Sequence, residues 1–81
     1  MKLPRDLEGK KLASLLRPYG YQTTRQTGSH MRLTSALKGR EHHVTIPTHE
    51  ELGVGTLHSI LREVATYLEM DLNTLLRQLF S

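Results

Sequence analysis

The sequence predicts an α+β fold, a three-stranded antiparallel sheet with helices on one face, for two reasons. Leucines recur at helical spacing near both ends of the chain. The stretch between them breaks into three short segments that alternate or favour β-forming residues. The length of 81 residues allows one domain and no more. A chain this short buries a limited share of its surface, so modest stability is expected.

Residues 8 to 17 read as the first helix, with Leu12, Leu15 and Leu16 on one stripe and Lys10, Lys11 and Arg17 outside it. Pro18 and Gly20 stop it. Tyr21 to Thr27 is the first strand, rich in Thr, and its pattern leaves its register open. His30 to Ser35 is the second, reached through Gly28-Ser29, and His42 to Ile46 the third, reached through Lys38-Gly39-Arg40 and stopped by Pro47. Side chains alternate faces along a strand, so Met31, Leu33, Val44 and Ile46 define an apolar face. His30, Arg32, Thr34, His43 and Thr45 define a polar one. Residues 48 to 55 read as a loop. Leu57, Ile60, Leu61, Val64 and Leu68 then mark the clearest amphipathic helix. Asp71 is placed to cap a last helix striped by Leu72, Leu75, Leu76 and Leu79. The expected domain therefore spans residues 1–81, with a core of 8–65 and an extra C-terminal helix over 71–80. The order α-β-β-β-α resembles that of double-stranded-RNA-binding domains, although a fold alone assigns no function.

Charge is unevenly distributed. Residues 9 to 40 hold Lys10, Lys11, Arg17, Arg25, Arg32, Lys38 and Arg40 and no carboxylate, while residues 41 to 81 are net acidic, within an overall charge of +3. A polyanion would meet the first half, where cations can displace its counterions. Cysteine is absent, which excludes disulfides and thiolate metal sites. No apolar run approaches the ~20 residues that span a bilayer. Met1-Lys2-Leu3-Pro4-Arg5 lacks the apolar core of a signal peptide, so a cytoplasmic location is expected.

Three stretches carry a resemblance. They are Gly20-Tyr21 with Arg25-Gln26-Thr27-Gly28-Ser29-His30; His43-Val44-Thr45-Ile46-Pro47 with His49; and Gly55-Thr56-Leu57 with Ile60-Leu61. In order and spacing they resemble the HicA, or YcfA-like, family of toxin–antitoxin systems. The resemblance implies a fold like that of double-stranded-RNA-binding domains, cleavage of mRNA, inhibition by a HicB-type antitoxin and a catalytic histidine at position 30. It also leaves a departure: the leucine-rich segment from Leu68 to Phe80 continues where many members end.

The chemistry of the residues agrees with that expectation. RNA supplies its own nucleophile, so cleavage needs a base, an acid and positive charge on the phosphate. An imidazole with an unperturbed pKa near ~6.5 suits the first two roles. Gly28 is expected to permit a turn that a side chain would obstruct and to let backbone approach phosphate. Arg32, on the face of His30, is expected to contact the phosphate. Gly28, Ser29, Arg25, Lys38 and Arg40 complete the expected RNA-binding set, though hairpin tips are often merely charged. His43 and His49 are the candidates for a second acid or base, against simpler roles as a surface pair and a loop anchor. His42 is expected at the sheet rim, His58 on the surface and Tyr21 in the core. No cofactor is implied. His42, His43 and His49 make a loose cluster, but neighbouring strand residues face opposite ways, so no metal site is expected. A non-catalytic RNA-binding or protein-interaction module remains the alternative, and the leucine-rich tail is a candidate for self-association.

Overall fold

The computed structural model describes residues 3–48 and 51–80. Helix α1 (Gly9–Leu16) runs into a 3-10 turn, Arg17–Tyr19. Strands β1 (Gln22–Gln26), β2 (His30–Ser35) and β3 (His42–Pro47) follow, then helices α2 (Val54–Leu68) and α3 (Leu72–Phe80). The sheet order is β1-β2-β3, antiparallel throughout. The predicted α+β class and element order therefore hold. No helix among the described residues is long and apolar enough to cross a membrane.

Alternation in β2 and β3 separates two faces as the sequence implies. Met31, Leu33, Val44 and Ile46 are buried, while His30, Arg32, His43 and Thr45 are exposed. The helices cover the apolar face with Leu12 and Leu16 from α1, Leu57, Leu61 and Val64 from α2, and Leu75 from α3. Ser35 is a fully buried polar residue of that inner face. Its hydroxyl donates to the Tyr19 carbonyl at 2.9 Å and accepts the Leu37 N–H at 3.2 Å, which removes the cost of burying it.

The connection after β3 ends earlier than predicted. α2 begins at Val54, so Gly55 lies in the helix's first turn and not in the preceding loop. Tyr21 is fully buried, as expected, but precedes β1 instead of opening it. Gly20, at φ 87°, turns the chain there in the left-handed region that glycine enters without steric cost. The C-terminal segment packs into the core: Asp71 Oδ2 accepts the Thr74 N–H at 3.2 Å, and Leu75 and Leu76 are buried.

β1 differs from its sister strands. Every residue in it is exposed, because α1 and α2 pack chiefly against β3. Its pairing with β2 shifts register between Thr23 and Arg25, a β-bulge at Thr24. The extra residue puts consecutive side chains on one face. Thr24 bonds the Thr34 hydroxyl there, and Arg25 stands opposite Arg32.

Candidate nucleic-acid interface

His30 opens β2 directly after the Thr27-Gly28-Ser29 turn. The turn is held by the Thr27 N–H on the His30 carbonyl (3.0 Å) and tied to the end of β3 by the Thr48 N–H on the Ser29 carbonyl (2.9 Å). The imidazole is exposed, and Ser29 Oγ lies 3.0 Å from its Nδ1. That contact orients the ring and leaves Nε2 with no partner among the described residues. Gly28 has neither a positive φ nor a neighbour that a Cβ would strike. The expected steric need for glycine is thus absent, and what remains is open space beside the histidine.

Arg32 lies on the same exposed face, two residues along β2. The bulge brings Arg25 opposite it in register. Neither guanidinium has a carboxylate within 4.0 Å among the described residues. Like charges paired across strands repel. This pair is therefore a place where an anion relieves strain in the charge distribution.

The other predicted cations lie elsewhere. Lys38 and Arg40 belong to the β2–β3 hairpin, beyond the far end of β2, about 17 Å of strand from His30. Lys38 pairs with Glu69 at 3.4 Å, and the Arg40 guanidinium sits 5.4 Å from the Tyr67 ring centre. Both are engaged in holding the hairpin against α2. Tyr67, itself buried, accepts the Lys38 N–H at 3.0 Å and donates to the Arg40 carbonyl at 2.6 Å.

His43 is on the outer face but opposes Thr34, whereas His30 opposes Pro47. Four strand residues, about 13 Å, separate the two histidines, too far to act on one phosphate directly. His49, the other candidate partner, lies outside the described residues. His42 points inward, as parity demands. Its Nδ1 is 2.7 Å from the Tyr21 hydroxyl and its ring stacks on Tyr67 at 4.9 Å. Burial lowers its pKa, helped by His43 and Arg40 and opposed by Glu63. Burial, with Tyr67 and Glu63 adding to it, raises the Tyr21 phenol far above its usual range, so Tyr21 is the donor. His58 is exposed, as expected, and with His42, Arg62 and Glu63 lines a cleft of about 550 Å³ between β3 and α2.

Sequence reasoning missed one arrangement. Thr24 Oγ1 and Thr34 Oγ1 are 2.7 Å apart, Thr34 Oγ1 and His43 Nδ1 are 2.7 Å apart, and His43 Nε2 is 3.8 Å from Glu41 Oε1. This row crosses all three strands on the outer face. Its signal was hidden by the bulge, which no alternation pattern reveals.

A family model described as the HicA toxin of bacterial toxin–antitoxin systems matches residues 9–65, more than two thirds of the chain. The chain belongs to the HicA toxin family. HicA membership makes it the toxin of a toxin–antitoxin pair and so implies an antitoxin partner. The HicA match covers α1, the whole sheet and most of α2, and ends before α3. No curated protein and no solved structure matches the chain.

Proposed function

We propose that this HicA toxin is an endoribonuclease that cleaves mRNA, with His30 as its catalytic residue and a HicB-type antitoxin as its inhibitor. The observation that carries the reading is the conjunction on one exposed face: an imidazole whose Nε2 has no partner among the described residues, beside two opposed arginines with no carboxylate within 4.0 Å among those residues. Arg25 and Arg32 hold the phosphate, and Gly28 and Ser29 leave room for its approach. His30 takes the proton of the 2′-hydroxyl, whose oxygen attacks phosphorus. The P–O5′ bond breaks, and the 5′-oxygen takes a proton from water or from His49, the candidate second acid. The products are a 2′,3′-cyclic phosphate and a 5′-hydroxyl. The reaction needs only protein groups and water, and calls on no metal or cofactor. A HicB-type antitoxin would mask His30 and the paired arginines together. Lys38 and Arg40 stay outside the first contact with the scissile phosphate.

The test is cleavage of RNA by the wild type and by His30→Ala in EDTA. A positioned acid or base contributes about 10²–10⁴ in rate, so the variant should lose at least a hundredfold. Equal cleavage by both proteins removes His30 from the chemistry. Salt-sensitive RNA binding with no cleavage by either would favour the binding-module reading instead.

A further inference from the structure

Resting on the reading of the outer sheet face as the RNA surface, we infer that His43 and Glu41 form a nucleobase subsite that selects guanine in the nucleotides flanking the scissile phosphate. His43 is half exposed, yet its ring is fixed, because Nδ1 is held by Thr34, which is held in turn by Thr24. Fixing an exposed imidazole at the end of a three-strand row costs side-chain freedom that a merely solvated histidine keeps. Glu41 stands 3.8 Å from Nε2, with its side chain 70% exposed. The carboxylate favours a proton on Nε2. Thr34 then donates to Nδ1, backed by the Thr24 hydroxyl, which also lies 3.3 Å from the Arg32 carbonyl, and the row ends in an N–H donor beside a carboxylate acceptor.

That pairing has a chemical complement. Guanine presents an O6 acceptor beside two donors, N1–H and the N2 amino group, on one edge. The imidazole N–H meets O6 and the carboxylate takes both donors. Adenine, cytosine and uracil cannot offer a carboxylate two adjacent donors next to an acceptor. Position agrees with this role. Each pair of residues along β2 advances about 6.6 Å on one face. His30, the Arg32–Arg25 pair and the Thr34–His43 pair thus form three successive stations along one track. An extended single strand whose phosphate rests on the arginines brings a neighbouring base over His43.

The experiment measures binding, in the non-cleaving His30→Ala protein, of short single-stranded RNAs by fluorescence anisotropy. Oligouridine is compared with oligouridine containing one guanosine, and with the adenosine and cytidine counterparts. A bidentate contact predicts about tenfold tighter binding of the guanosine oligomer. Adding Glu41→Gln, an exposed change that leaves the fold intact, should abolish the preference while oligouridine still binds, and adding His43→Ala should do the same. Absence of a preference, or one that survives both substitutions, overturns the subsite. Cleavage is not read in this assay. A protein that selects guanine but cleaves nothing refutes the nuclease reading alone, and an active nuclease indifferent to guanine refutes the subsite alone.

Discussion

Gly9 lies so close to Pro47 that a Cβ built on it would stand 1.7 Å from the Pro47 carbonyl oxygen and 2.9 Å from its carbonyl carbon. The first turn of α1 therefore sits directly on the end of β3. Alanine is the better helix former by about 1 kcal/mol, so propensity predicts that Gly9→Ala stabilises the protein. The contact predicts the reverse. Backbone atoms must separate, at a cost of about 1–3 kcal/mol or more. Urea unfolding of the variant should show a lowered midpoint, and a raised one would mean that α1 does not seat on β3.

Arg25→Gln should move stability and RNA affinity in opposite directions. Removing one of two opposed cations relieves repulsion and should raise stability by about 0.2–1 kcal/mol. The same change removes a phosphate contact, so RNA binding should weaken and the slope of log affinity against log salt should fall by about 1. Thermal melts and salt titrations of RNA binding check the two arms. A variant that is less stable but binds RNA normally would show the pair to be structural.

His42 makes folding sensitive to acid. Its folded-state pKa lies below the unfolded value, chiefly because burial disfavours the charged ring. The stabilisation is fully present above the unfolded value of about 6.5 and is lost as pH falls through the depressed folded one. The informative quantity is a difference between proteins. His42→Gln keeps a hydrogen-bond acceptor for Tyr21 but cannot titrate. Between about pH 8 and about pH 5 its urea midpoint should fall less than that of the wild type. Parallel curves would count against the half-buried, neutral imidazole.

Leu75→Ala tests whether the C-terminal helix is core or a free surface. Leu75 is fully buried against α2, so its truncation should cost about 2–5 kcal/mol. Light scattering should show the oligomeric state unchanged. A stable variant with altered association would restore the view of the leucine-rich tail as a self-association device.

Much of this molecule could be read in its residues, and the parts that could not have physical reasons. β2 and β3 are buried on one face and exposed on the other, so strict alternation marks both and assigns His30, Arg32 and His43 to the outside. β1 is wet on both faces and bulged at Thr24, so no period survives in Gln22–Gln26. The Arg25–Arg32 pair was legible as two separate cations and not as one site. Composition also could not tell that Lys38 and Arg40 are committed to Glu69 and Tyr67, since an ion pair or a ring contact depends on α2 passing beside the hairpin.

The Tyr67 hydroxyl has a kinetic corollary. The Lys38 amide belongs to a hairpin turn, a place where amide protons normally exchange with solvent within fast local openings. Here its acceptor is a phenol from a helix 29 residues further along the chain. Exchange there requires the hairpin to part from the Tyr67 hydroxyl, so this single turn proton should exchange more slowly than those of its exposed neighbours and report the docking of the hairpin on α2.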